Sequence, residues 1–161
     1  MPLILAPLAL LLAAQTTPVP ALPKGTGLPP PASEDAAVMA PINAVFAAFE
    51  AGDGQAMLRH VDPAGRVIAV GPGPDGVSNV RRTSFTDFAT KLTPAGAFSE
   101  RISDPAIEID GDVAMVWAPF TVRVGGKVVS CGYDHFDMIR ESGAWKIAGV
   151  TYSSRKTGCE S

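Results

Sequence analysis

The sequence is poor in the residues that build metal centres and covalent active sites. Two cysteines and two histidines occur among 161 residues, and their spacings match no zinc-binding pattern. No serine stands in a Gly-x-Ser-x-Gly nucleophile elbow. The glycine-rich stretch at 71–76 lacks the lysine of a phosphate-binding loop; we interpret it as a mobile loop or, alternatively, a lid. We therefore expect no metal and no cofactor.

Basic charge and long apolar runs are also scarce. The formal net charge is −3, and no basic run is longer than two residues such as Arg81-Arg82. Binding to phosphates requires a clustered positive face, so we expect no nucleic-acid partner. The apolar run MPLILAPLALLLAAQ is shorter than the roughly 20 residues that span a bilayer. No cysteine follows it closely, so we expect no stable membrane anchor.

The first 32 residues do not resemble a folded domain. The apolar run followed by small residues is typical of a secretory signal, which predicts a signal peptide over residues 1–14. A disordered or mis-assigned start is the alternative. Residues 15–32 carry six prolines and predict an extended linker. The folded domain is expected over residues 33–161, in a periplasmic or secreted protein.

In an oxidising compartment the two cysteines are expected to pair. A hairpin turning at residues 141–143 would place Cys131 opposite Ser153, with Cys159 on a tail able to fold back. Closing that loop would contribute ~3.6 kcal/mol. A buried Cys131 and a free Cys159 are the alternative.

Three helices are predicted before the strand-rich part of the chain. The first begins near Ser33 and ends at Gly52, with Pro41 either in its first turn or at a kink. Asp53 is predicted to cap a second, short helix, and Ser84 with Asp87 resembles the capping box of a third. The apolar stripe of the first helix consists of Val38, Ile42, Val45, Phe46 and Phe49.

Residues 100–159 predict one curved antiparallel sheet. Tight turns at 110–111, 125–126 and 141–143 separate four runs rich in Val, Ile, Phe and Trp. Pro105 and Pro119 cannot donate to a ladder and are expected at bulges or edges. A further short strand is predicted at 67–70. The fold class is therefore α+β, with helices covering one face of a bent sheet.

This order of elements, with the segments IDGDVAMVWAPF, CGYDHFDMIRESGAWKI and YSSRKTGC, resembles the nuclear transport factor 2-like superfamily. The similarity runs from Val38 to Cys159 and points to its SnoaL-like or putative lumazine-binding bacterial members. It implies a cystatin-like cone, in which a curved antiparallel sheet wraps N-terminal helices around an apolar cavity. It also implies a homodimer through the outer sheet face. Such a fold does not by itself define a function.

Strand alternation predicts two opposite sets of side chains in the last hairpin. Asp134 and Phe136 share one face with Val150 and Tyr152, while the opposite set comprises Cys131, Tyr133, His135, Asp137, Ile139, Trp145, Ile147 and Gly149. The sequence does not decide which face lines a cavity. A buried Asp134 would have a raised pKa, suited to acid-base chemistry. Its structural alternative is an ion pair with Arg101 or Arg123, or a hydrogen bond to a tyrosine.

Three functions follow from these residues. The first is an exported domain that binds a small apolar or aromatic molecule, with walls from Trp117, Phe120, Phe136 and Tyr152 and with Asp134 as the orienting group. The second is an isomerase, dehydratase or cyclase in which Asp134 is catalytic and Tyr133 or His135 assists. The third is a homodimeric interaction module. For His135 the plainer interpretation is a solvated or interfacial polar stripe.

Overall fold

The computed structural model describes residues 32–73 and 75–159. The predicted signal peptide and most of the linker lie outside these residues. Helices come first and long strands last, as the sequence predicts. The elements are α1 (Ala32–Ala51), α2 (Gly54–Leu58), β1 (Val61–Pro72), β2 (Ser78–Ser84), α3 (Phe85–Ala89), a 3-10 turn (Pro94–Gly96), β3 (Ser99–Ile102), β4 (Ala106–Asp110), β5 (Val113–Val124), β6 (Lys127–Glu141) and β7 (Ala144–Arg155).

The strands form a single sheet in the order β2-β1-β7-β6-β5-β3, and β4 also pairs with β5. The β1–β7 pairing is parallel, whereas the other pairings are antiparallel. Helix α1 and the two short helices pack their apolar side chains against the concave face. The predicted α+β class, with helices wrapped by a large curved sheet, is confirmed.

The helices form where their sequence signals lie. The predicted stripe of α1, from Val38 to Phe49, is buried. The Asp53 carboxylate accepts a hydrogen bond from Ala56 N at 2.9 Å, and Ser84 Oγ accepts one from Asp87 N at 3.0 Å. Both predicted N-caps are therefore confirmed. Pro41 lies well inside α1 rather than in its first turn, because the helix begins farther upstream of it.

The strand prediction missed two features of the sheet. Strand β2 went unrecognised because its side chains are mostly exposed, so it carries no strong apolar pattern. The predicted strand after residue 100 is divided into β3 and β4, both paired to β5. The division falls at Asp104, which has a positive φ of 43°, and at Pro105, which lacks an N–H. Pro119 lies in regular register opposite Tyr133, and the nearby irregularity falls between Val122 and Arg123 instead.

A second irregularity, between Asp137 and Met138, sets the register of β6 against β7. Past this bulge Met138 pairs with Ile147 and Arg140 with Trp145, so Ile147 and Trp145 are 0% and 8% exposed. Their predicted place beside His135 is wrong, because one extra residue in a strand moves the following side chains to the other face. Cys131 lies opposite Arg155 rather than Ser153, because the turn contains two residues, Ser142 and Gly143, instead of three, and the bulge adds one more residue on β7.

The predicted disulfide between Cys131 and Cys159 is present, with a Cα–Cα distance of 5.6 Å across a sequence separation of 28. Cys131 lies on β6 and is 4% exposed. The chain beyond β7 bends back through Gly158, whose φ is 65°, and so brings Cys159 to the sheet. The bridge attaches the last residues of the domain to β6.

Removing this bridge is expected to destabilise the domain without changing its fold. The double variant Cys131→Ser/Cys159→Ser should lose about 3–4 kcal/mol of unfolding free energy, because its unfolded chain is no longer constrained by the closed loop. Urea unfolding followed by circular dichroism measures the loss. Dithiothreitol should lower the wild-type midpoint and leave that of the variant unchanged. Equal midpoints for the oxidised wild type and the variant would contradict the stabilising role.

Candidate functional site

Two acidic side chains, one from β3 and one from β6, lie near each other on the concave face of the sheet. Asp134 of β6 pairs with Ala118 of β5 and with Tyr152 of β7. Farther along the sheet, Glu100 of β3 pairs with Val122 of β5. Successive residues of a strand alternate between faces, so both carboxyl groups point toward the helices.

These two carboxyl groups enter a cavity of about 370 Å³ between the sheet and the helices. Aliphatic side chains from α1, α2, β1, β5 and β7 contribute to the walls. The cavity is also lined by all seven phenylalanines of the chain: Phe46, Phe49, Phe85, Phe88, Phe98, Phe120 and Phe136. Such a concave apolar chamber with a few convergent polar groups is the usual form of a small-molecule site.

The Phe120 ring depends on a glycine beside it. A Cβ at Gly132 would lie 2.9 Å from the Phe120 ring and 1.9 Å from the carbonyl oxygen of Ser153. Glycine at position 132 therefore leaves room for the Phe120 ring to lie against β6. Phe120 meets the Tyr152 ring edge-on, with 5.8 Å between the ring centroids.

Asp134 is the buried charged residue of the core, with 2% of its surface exposed. Its Oδ2 atom has no ordinary hydrogen-bond donor among the described residues. The Glu100 carboxyl lies within hydrogen-bonding reach of the Asp134 carboxyl. Two carboxylates have no proton to donate to each other, so a hydrogen bond between them requires that one be protonated.

Burial is the main cause of the raised pKa of both carboxyl groups. Desolvation raises the pKa of Asp134 to about 7, although the hydrogen bond from Glu100 acts in the opposite direction. Desolvation also raises the pKa of Glu100 well above its ordinary value, and the neighbouring Asp134 raises it further. The pair therefore holds a proton near neutral pH, as expected for a buried Asp134 beside a half-buried Glu100 in a largely apolar cavity.

Other polar groups surround this carboxyl pair. Burial raises the pKa of the Tyr152 phenol; Glu100 and Asp134 raise it as well, and Arg81 on β2 partly offsets them. Ser130 and Ser154 also line the cavity, and their hydroxyl groups are hydrogen-bonded to each other at 2.9 Å. Hydroxyl and carboxyl groups thus converge on one part of an otherwise apolar chamber.

The predicted ion pair of Asp134 with Arg101 or Arg123 is wrong. Arg101 forms a salt bridge with Glu50 of α1, and the guanidinium of Arg123 donates to the carbonyl oxygen of Gly126 at 3.3 Å. Neighbouring strand residues alternate between faces, so Arg101 points away from the cavity that Glu100 enters. Asp134 is paired with an acid rather than with a base.

Three of the sequence-selected residues lie on the convex outer face. Trp117 is 45% exposed and stacks on Tyr133, which is 41% exposed, at 5.3 Å between ring centroids. His135 lies beside Trp117 at 6.1 Å. The prediction that Trp117 forms a cavity wall is wrong, because the inward residues of β5 are Val116, Ala118 and Phe120. Phe120, Phe136 and Tyr152 do line the cavity.

The structure therefore separates the proposed catalytic residues. Tyr133 and His135 lie on the face opposite Asp134, so they are not its partners. His135 instead approaches Asp137, with 3.9 Å between Nε2 and Oδ1. The aromatic outer face is compatible with the predicted homodimer, which stays a prediction.

Sequence reasoning missed Glu100, although a signal for it existed. Phe98, just before β3, and Glu100 and Ile102 within it alternate along the chain, and all three belong to the concave side of the sheet. This period of two identifies Glu100 as an acid on an apolar face. Its pairing with Asp134 was not visible, because 34 residues separate the two positions and β5 lies between their strands.

Two absences apply to the described part of the chain. Within residues 32–73 and 75–159, no three His, Cys, Asp or Glu side chains come together as a potential metal site. Across these residues, no helix is long and apolar enough to cross a bilayer.

The stability of the domain is expected to fall as the pH rises through neutrality. The folded-state pKa of Asp134 is raised from 3.8 to about 7, so the folded protein binds a proton that the unfolded chain has already lost. That contribution is complete below about pH 4 and is lost as the pH rises through about 7. Asp134→Asn should therefore resemble the wild type at about pH 4 and exceed its stability by a few kcal/mol at about pH 8.

Chemical denaturation at several pH values measures this difference. Asp137→Asn is the matched control, because Asp137 lies three residues farther along β6 on the outer face. The control should follow the wild type at each pH. A stability difference between wild type and Asp134→Asn that does not change with pH would contradict the raised pKa of Asp134 in the folded state.

Known structures share this architecture at low sequence identity. A nuclear transport factor 2-like protein of unknown function from Silicibacter pomeroyi is 20% identical, with a TM-score of 0.59, covering 76% of this chain and 97% of the other. A cystatin-like-fold protein of unknown function from Nostoc punctiforme is 12% identical, with a TM-score of 0.62 and coverages of 79% and 95%. A ketosteroid isomerase-like protein from Erwinia carotovora atroseptica is 19% identical, with a TM-score of 0.53 and coverages of 76% and 97%.

None of the curated proteins matches the chain. The family model of the SnoaL-like domain matches residues 38–154, a range that begins in α1 and ends in β7. It thus includes the cavity walls and both members of the carboxyl pair. The chain belongs to the SnoaL-like domain family of the nuclear transport factor 2-like superfamily.

Proposed function

We propose that the protein binds a small, largely apolar molecule in the cavity between helices and sheet, with one polar group of the ligand held by Glu100 and Asp134. The observation that carries this proposal is the cavity itself: about 370 Å³ of space whose walls include every phenylalanine of the chain. A core packed for stability alone leaves few voids larger than a water molecule. A cavity of this size is costly unless a ligand occupies it.

The carboxyl pair would determine the orientation of a ligand in the cavity. A ligand hydroxyl near Asp134 would donate a hydrogen bond to its carboxylate, and a ligand carbonyl would accept one from the protonated acid. Asp134 Oδ2 has no ordinary donor in the described chain. The ligand would thereby satisfy a polar atom that is otherwise costly to bury. Its apolar portion would lie against the phenylalanine rings.

We propose an oxidising compartment, periplasmic or extracellular, as the place of this function. The disulfide between Cys131 and Cys159 supports it, because structural disulfides persist mainly in such environments. The pattern of residues 1–14 agrees with export.

Prodan, a neutral naphthalene ketone that fluoresces at shorter wavelength in apolar surroundings, tests the binding function. We expect a saturable blue shift with the wild type. Val122→Trp should weaken binding at least roughly tenfold, because Val122 lines the cavity and the indole would fill it. Val113→Trp is the matched control, since Val113 lies on the same strand and is 61% exposed.

Thermal unfolding of each variant checks that it folds, and Val150→Phe supplies a second cavity-filling change. Equal prodan affinity in wild type and both filled variants would place the dye outside the cavity and oppose the proposal. The absence of any blue shift with the wild type would do the same.

A second candidate function, proton transfer, is favoured by one specific observation. Glu100 and Asp134 are two neighbouring acids inside an apolar chamber. Burial raises the pKa of Asp134 to about 7, and an acid with a pKa near neutrality is suited to general acid-base catalysis. An isomerase, dehydratase or cyclase needs such a group. The likeness to a ketosteroid isomerase-like protein agrees with this candidate, but that likeness supports the fold alone.

The base-catalysed opening of nitrobenzisoxazole tests for a usable base. A carboxylate removes the ring C–H proton, the N–O bond breaks, and coloured cyanonitrophenolate forms with the proton on the enzyme. We expect a rate that rises with pH through about 7 and disappears in Glu100→Gln/Asp134→Asn. The exposed pair Glu108→Gln/Asp137→Asn should retain the wild-type rate. If the two double variants react equally fast, the cavity acids are not the base.

A further inference from the structure

The carboxyl pair is unusual in the charge of its surroundings. Buried acids are ordinarily paired with a basic side chain. Among the described residues that line the cavity, none is lysine, arginine or histidine. The pair instead consists of Glu100 and Asp134, and Asp134 Oδ2 is buried without an ordinary donor. Ionisation of either acid therefore places negative charge in the chamber with no cation in its walls.

The walls are also suited to a positive group. Seven phenylalanine rings and Tyr152 surround the cavity, and the negative face of an aromatic ring attracts an organic cation. Hard metal ions are a poor match, because calcium and magnesium take six or more oxygen ligands. Two carboxyls in an aromatic chamber instead resemble a receptor for an ammonium group on an aromatic or alkyl body.

From the carboxyl pair, the cation-free walls and the aromatic lining together, we infer that the ligand is an organic amine, bound as its ammonium ion with the nitrogen between Glu100 and Asp134. The inference rests on the proposed binding function and specifies its ligand class. The ammonium donates hydrogen bonds to both carboxylates and takes the place of the proton they share. Binding of the amine should therefore release a proton.

Other titratable groups near the pair modulate this site without replacing it. Tyr152 on β7 lines the same chamber, and Arg81 on exposed β2 acts on its phenol. On the other sides, Arg101 and Glu50 engage each other, and His135 and Asp137 lie on the outer face of β6. The acids that face the ligand space are thus Glu100 and Asp134.

Three naphthalene probes of similar shape test the inference by isothermal titration calorimetry: naphthylmethylamine, naphthalenemethanol and naphthylacetate. At about pH 8 the amine should bind at least roughly tenfold more tightly than the alcohol, and the acetate more weakly than both. This preference should weaken at about pH 5.5, where Asp134 is protonated. Titrations in buffers of different ionisation enthalpy should show release of up to about one proton with the amine and none with the alcohol.

Two double variants locate the effect. Glu100→Gln/Asp134→Asn keeps the shape of the site and removes its charge, so it should lose the amine preference and the proton release while still binding the alcohol. Glu108→Gln/Asp137→Asn changes two exposed acids outside the cavity and should behave as the wild type.

The outcomes separate this inference from the binding function. Alcohol affinity equal to or above amine affinity at about pH 8 would overturn the amine inference, while leaving a cavity that binds small apolar molecules. An amine preference that survives in Glu100→Gln/Asp134→Asn would overturn it as well, because the cation would then lie elsewhere. If all three probes and prodan fail to bind, the binding function and the amine inference fail together.

Discussion

The alternation of side chains along β5, β6 and β7 is the constraint on which the rest of the structure depends. With Val116, Ala118 and Phe120 turned inward on β5, and Asp134, Phe136 and Met138 turned inward on β6, the concave face becomes the core. Because successive residues point to opposite faces, the same register turns Trp117 and Tyr133 outward. The bulge at Asp137–Met138 returns Ile147 and Trp145 to the core.

This arrangement concentrates aromatic surface and negative charge in one chamber. Burying phenylalanine rings is favourable, whereas burying a carboxylate without a cation is costly. The chain reduces that cost by placing a second acid in contact, so that the two share a proton near neutral pH. Binding and proton transfer both follow from this property, because a group that exchanges its proton near neutrality also responds to the charge of a ligand.

Much of the architecture was predictable from local sequence patterns. The apolar stripe of α1 and the caps at Asp53 and Ser84 depend on neighbouring residues, so they could be identified without tertiary information. Strand β2 was missed because an exposed edge strand needs no apolar pattern. The division between β3 and β4 was missed because Pro105 was interpreted as a bulge or edge position within one strand. The change of alternation, from inward Phe98 and Ile102 to inward Ile107 and Ile109, was overlooked.

The sequence by itself determined the α+β order of elements, the membership of Asp134 in one alternating face and the availability of two cysteines for a bridge. Tertiary structure decided which face is concave, because that depends on the side of the sheet against which the helices pack. It also set the register beyond the bulges, by amounts that local propensity does not encode. It also decided that Trp117 lies outside and that Glu100 reaches Asp134. Contacts between strands distant in sequence depend on how the sheet pairs and curves. Pairing and curvature are set by the packing of the complete core, not by neighbouring residues.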